Sequence, residues 1–335
     1  MTKGTKIFRI IICILLAITM IISAFFALVF CLYIEKEIMA EQYGIYVVGV
    51  PVTRNNKDDV LGDGTVFYDS VNNVLVFGNA NIESDKTIVY SAIDLNIELI
   101  GENKFICTGK ESATGIYAGN YNVAHDLAIG GKGSLTIEIP NASSQAVGIF
   151  ASELTVSTNV TVTAHDSENM VSGIVCGSNL LVVDNAAITV NNGASKFSAA
   201  VRVRGNAFFE EGTSLKASVN PGSPEVCKGM SVSGDLFLGK NTVLDVSIDD
   251  SATDLGECVR VSGLMEICAG ANVKASAKNT YAIECFGAIE ANDGAAISAV
   301  SDNNEADVFC SGAVINYGAG FDGEINAIGG VHNQN

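Results

Sequence analysis

Aliphatic residues recur along this chain at a fixed internal spacing. Ile174, Val201, Met230, Val259 and Ile283 are each followed 14 residues later by another aliphatic residue: Ile188, Leu215, Leu244, Val273 and Ile297. Extending the series gives first-strand centres at Ile116, Ile149, Ile174, Val201, Met230, Val259, Ile283 and Val308, at intervals of 24 to 33 residues. Such a period marks a solenoid, in which each repeat is one supersecondary unit stacked on the next. Between these anchors run short segments of period two, the signature of half-buried strands. A middle strand is predicted at Leu154-Thr-Val156, Leu181-Val-Val183, Leu236-Phe-Leu238 and Met265-Glu-Ile267. A third is predicted at Leu135-Thr-Ile137, Val160-Thr-Val162, Ile188-Thr-Val190, Leu215-Lys-Ala217, Leu244-Asp-Val246, Val273-Lys-Ala275, Ile297-Ser-Ala299 and Ile325-Asn-Ala327. Three short strands per coil predict an all-β fold, a right-handed parallel β-helix.

Stacked coils turn sequence comparison into contact prediction, because equivalent positions lie about 4.8 Å apart along the axis. Arg202, Ser231, Arg260 and Glu284 share one outward register, so Arg260 and Glu284 are expected to meet as a surface ion pair. Length variation concentrates between the third strand of one coil and the first of the next, from 10 residues (Val273 to Ile283) to 15 (Leu215 to Met230). That edge carries Asp166, Glu168, Glu225, Asp302 and Glu305 beside the denser group Asp249, Asp250, Asp254 and Glu257, against Lys196, Lys228 and Lys278.

The N-terminus breaks the β pattern. Residues 10–34 hold no charge, flanked by Lys3, Lys6 and Arg9 on one side and Glu35, Lys36 and Glu37 on the other. This length suits an uncleaved transmembrane anchor, and the preceding positive charges place residues 1–9 in the cytoplasm and the bulk outside as a single-pass protein. A long signal peptide cut near Ala24 or Ala40 is the alternative and would make the protein secreted. Residues 35–93 are expected to form a juxtamembrane segment and β cap, and residues 94–335 the β-helix. All 37 acidic residues but only 16 of the 19 basic ones lie beyond residue 34, which argues against nucleic acid or an anionic membrane surface as partner. Abundant Gly and Asn with no Trp fits many short strands and tight turns.

Within the cap, the stretch Tyr46-Val-Val-Gly-Val-Pro-Val-Thr53 is followed by Asp59-Val-Leu-Gly-Asp-Gly-Thr65, Tyr68-Asp69, Asn73-Val-Leu-Val-Phe and Asn79-Ala-Asn-Ile82. It resembles the leader of large cell-surface proteins of gut Firmicutes of the Clostridia type. In those proteins a DVLGDGT segment and a YD turn precede repeated G-I-Y and L-T-I units, which match Gly115-Ile-Tyr117, Gly148-Ile-Phe150 and Leu135-Thr-Ile137 here. The resemblance implies a parallel β-helix on the cell surface, of the kind labelled carbohydrate-binding or pectate-lyase-like.

Chemistry is sparse. Asp249-Asp250 is the one adjacent acidic pair on the variable edge, and His125, His165 and His332 recur in no common register, so no catalytic constellation stands out. Calcium, which takes several oxygen donors, has its best candidate ligands in Asp249, Asp250, Asp254 and Glu257, with a solvated acidic edge as the alternative. Sugar rings stack on aromatic faces, and Tyr117 and Tyr121 are the candidate carbohydrate-binding residues. Seven cysteines lie beyond the apolar segment: Cys107, Cys176, Cys227, Cys258, Cys268, Cys285 and Cys310. Cys176, Cys285 and Cys310 fall two residues after a repeat anchor and are expected in the core; a Cys285–Cys310 disulfide is geometrically open. The expected function is a binding or adhesion module for glycan or a surface partner. The alternatives are a polysaccharide lyase or glycoside hydrolase, and a structural surface protein with protein partners.

Overall fold

The computed structural model describes residues 16, 18–30, 42–119, 123–142, 144–193, 195–220, 225–249, 256–302 and 306–334. Asp250, Asp254, Glu305, Tyr121, Cys13, Cys31 and most flanks of the apolar segment lie outside them. Contacts divide the chain into two compact units, residues 1–43 with 53–55, and residues 44–52 with 56–335. In the first unit, residues 18–30 are helical. Among the described residues, no helix is long and apolar enough to cross a membrane.

The second unit is an all-β parallel solenoid. Three long sheets run along it, two of 12 strands and one of 10, and successive strands of the chain visit them in turn. The first sheet stacks Val89–Ser91, Ser112–Ala118, Gln145–Ala151, Met170–Cys176 and their successors; the second holds the middle strands and the third the closing ones. All eight anchors inferred from the spacing pair in one register of the first sheet, Ile116 to Ile149 to Ile174 and onward to Ile283 and Val308.

Two phase assignments differ from the sequence reading. Leu180 and Val182 point inward and Leu181 outward, because Leu180 is locked between Leu154 and Ala207; an unbroken apolar run has no period of its own, so its neighbours choose the face. Ile325–Ala327 belongs to the first sheet, where Ile325 pairs Val308, and the third strand of that coil is Gly320–Asp322. Only 17 residues separate Val308 from Ile325, so this coil is the shortest of the stack.

Parallel pairing also starts before residue 94. Val74–Gly78 lies parallel to Leu95–Ile100, and Asn81–Ser84 to Glu102–Cys107, with Phe77 and Phe105 ring to ring at 5.0 Å in the core. The antiparallel strands Gln42–Val47, pairing Val89–Ser91, and Val66–Asp69, pairing Val74–Gly78, cover the start of the stack. The Asp59–Thr65 loop between them is organised by its own carboxylates. Asp59 Oδ1 accepts the Gly62 and Gly64 N–H groups, and Asp63 accepts the backbone N–H and hydroxyl of Thr65, which holds its carboxyl below the usual range.

The strands of the first sheet bend at a Gly-Ile doublet. In Gln145–Ala151 both Gly148 and Ile149 face inward, so the alternation changes phase there. A Cβ on Gly148 would come 2.3 Å from Val162 Cγ1 and 2.5 Å from the Gly173 carbonyl oxygen. Gly115, Gly173 and Gly229 meet Ile137, Val190 and Val246 in the same way. Where the doublet instead begins with Ala200 or Cys258, the third strand carries Ala217 or Ala275. Volume is thus conserved across the core, small against large, as close packing requires. Between the first and second sheets, Asp94, Asp126, Asn179, Asn206 and Asp235 form a corner ladder. The backbone N–H of the equivalent residue one coil on donates to Asp94, Asp126, Asn179 and Asn206, at 2.8 to 3.1 Å.

Candidate functional site

The outward register of the first sheet, which alternates with the buried anchors, carries the site. Reading along it, Tyr46 pairs Tyr90, Tyr90 pairs Tyr117, Tyr117 pairs Phe150, Phe150 pairs Val175, and Val175 pairs Arg202. The first four form an unbroken aromatic ladder. Tyr90 and Tyr117 are stacked at 5.9 Å with planes 3° apart, Tyr117 and Phe150 at 4.8 Å and 11°, and Tyr46 meets Tyr90 edge-on at 5.7 Å. All four rings are half-buried, so each keeps surface open to solvent. At the Tyr46 end, Tyr46, Gly49, Lys86, Thr87 and Tyr90 line a hollow of about 360 Å³.

Of the carbohydrate-binding candidates of the sequence, Tyr117 lies in this ladder; Tyr90, Tyr46 and Phe150 were not paired with it, because the first coil and the antiparallel cap were not placed in register. Tyr121 lies outside the described residues.

Further along the same face the character changes from aromatic to charged. Lys228 Nζ lies 2.6 Å from Glu257 Oε2, Arg260 bonds Glu257 Oε1, and Arg260 Nε is 3.6 Å from Glu284 Oε2. Arg260 and Glu284 are partners as the spacing predicts, yet the network is more enclosed than an isolated surface pair, with the Glu257 side chain only 14% exposed. The Arg260 guanidinium also lies over the Phe286 ring at 4.9 Å, a cation–π contact. With Phe197, Val226, Thr280 and Tyr281, these groups line a groove of about 470 Å³. Burial pushes the Glu284 carboxyl above the ordinary glutamate value; Arg260 opposes the shift and Glu257 adds to it.

Two of the four calcium candidates, Asp249 and Glu257, are described, and both take part in ion pairs. Glu257 lies within a first-sheet strand, where Lys228 and Arg260 take its two oxygens, and Asp249 Oδ2 is 2.9 Å from Lys278 Nζ. Asp250 and Asp254 lie outside the described residues. Among the described residues, no group of three His, Cys, Asp or Glu side chains stands close enough to hold a metal ion.

Searches against protein families, curated proteins and solved structures return no match to this chain.

Proposed function

We propose that the chain is a cell-surface β-solenoid, tethered through the apolar segment at residues 10–34 with its N-terminus cytoplasmic, that binds glycan along the outer face of its first sheet. The observation that carries this reading is the ladder Tyr46, Tyr90, Tyr117 and Phe150. Four aromatic residues in succession on an outward register, stacked on one another and kept partly open, present a continuous strip of apolar ring edges tipped with tyrosine hydroxyls, an amphipathic surface along which a sugar chain can lie. The sheet holds the rings about 4.8 Å apart, rigidly enough that little order must be gained on binding. The test is a glycan-array measurement on the purified chain and on Tyr90→Ala and Tyr117→Ala. Binding confined to a glycan class and weakened by either substitution supports the reading; binding untouched by both removes the ladder from it.

A second reading, glycoside hydrolysis, draws on the charged groove. Glu257, whose two oxygens are taken by Lys228 and Arg260, and Glu284, whose carboxyl pKa burial raises, place two carboxyl groups in contrasting environments beside one groove, the kind of contrast that general acid chemistry uses. Release of reducing ends from a bound polysaccharide, lost in Glu284→Gln, supports it; intact polysaccharide after prolonged incubation excludes it for that substrate.

A further inference from the structure

We infer that the glycan taken by the aromatic ladder is anionic, its acidic groups met by Lys86 at one end of the ladder and Arg202 at the other. The inference rests on the glycan-binding reading and adds the ligand's charge class. Its first support is a gap in the distribution of acid. The chain has 37 acidic residues, nearly twice its basic ones. Yet from Gln42–Val47 through Val89–Ser91 and on, strand after strand, to Val226–Val232, the first sheet contains no Asp or Glu. The other two sheets carry Glu83, Glu98, Glu102 and Glu138 over the early part of the same stretch.

The second support is the placement of the two cations. Arg202 continues the ladder's own register two strands beyond Phe150, is exposed, and lies 6.0 Å from the centre of the Phe197 ring. Lys86 is exposed, lines the hollow with Tyr46 and Tyr90, and lays its stem across Gly49, where a Cβ would come 2.9 Å from Lys86 Cδ. Neither cation has a carboxylate partner among the described residues. Lys104, Lys228, Arg260 and Lys278, by contrast, are engaged by carboxylates. Five strand steps separate Tyr46 from Arg202, roughly 24 Å of rigid sheet. A saccharide chain lying along the axis would rest against the open edges of the rings and present its charges to both ends. The guanidinium of Arg202, with its planar fork of donors, fits a carboxylate or a sulfate equally.

The experiment compares binding of the full chain to two matched pairs of polymers: polygalacturonate against its fully methyl-esterified form, and dextran sulfate against dextran. Tighter binding of an acidic member, by about tenfold, is expected from one charge-assisted contact, and which pair shows it separates carboxylate from sulfate. Arg202→Gln and Lys86→Gln should each weaken acidic binding and flatten its dependence on salt, while Tyr117→Ala should weaken it at every ionic strength. Equal affinity for neutral and acidic members overturns the charge inference and leaves the ladder as a neutral-glycan site. Acidic binding that survives Tyr117→Ala overturns it too, as attraction without the rings. No binding to any polymer, together with silence on the wider array, removes both readings.

Discussion

Glu284 experiences two opposed influences, burial that disfavours its charge and the Arg260 guanidinium that favours it, and burial prevails. The sign of the pH effect follows. Since the folded protein holds this proton to higher pH than the unfolded chain, the stability it contributes is full below the ordinary glutamate pKa, 4.5, and is lost as pH rises through the raised folded value. Glu284→Gln imitates the protonated form. Its melting temperature is expected to match the parent in acid and exceed it at neutral pH, measured by thermal melts across that range; a lower value at neutral pH would mean that the Arg260 contact outweighs burial. The same residue illustrates what single positions disclosed in advance. Its pairing with Arg260 was readable, because two residues at one repeat position in adjacent coils must be neighbours. The engagement of Glu257 by the same arginine was not, since Glu257 read as part of an acidic loop until the strand Gly256–Val261 drew it into the sheet.

At the scale of strands, anchors separated by a constant 14 residues were legible because the segment between them keeps its length, whereas Leu181–Val183 and Ile325–Ala327 were misplaced where the pattern lacked alternation or the coil was shortened. Less legible was the reciprocity between first and third strands. In the sequence Gly148 is legible only as part of the repeat unit Gly148-Ile-Phe150; in the structure it yields space to Val162. Gly148→Ala is therefore expected to destabilise by about 1 to 3 kcal/mol through overpacking. Adding Val162→Ala should recover part of that loss, reproducing the Ala200 with Ala217 arrangement two coils further on. Denaturant unfolding of the two single variants and the double variant measures the coupling, and strictly additive losses would show that the two sites do not share one volume.

Over the whole molecule, charge and aromaticity are segregated along one sheet: rings over the early coils, a cation beyond them, then the Lys228, Glu257, Arg260 and Glu284 network. No single repeat contains this arrangement, which is why composition suggested only a generally negative surface. Placing a carboxylate beside the last rung of the ladder, by Val147→Glu, is expected to repel an acidic polymer and to leave neutral-polymer binding and the fold intact, read by binding at low salt and by circular dichroism. Val147 lies in the Phe150 strand at an outward, half-buried position and so tolerates the charge without entering the core.

The pairing of each coil with its two neighbours alone has a mechanical consequence. Force applied to the C-terminal end of such a stack while the other end is held would load the coils in series, and the last three strands, Gly320–Asp322, Ile325–Ala327 and Val331–Asn333, contain no buried residue. Rupture should begin there and advance one coil at a time. With 17 residues in the last coil and 24 to 33 in those before it, the first event would release roughly 55 to 60 Å of extended chain and later ones roughly 80 to 120 Å, and single-molecule pulling should record a staircase of such steps. The protein would then lengthen in stages under such a load and not give way all at once.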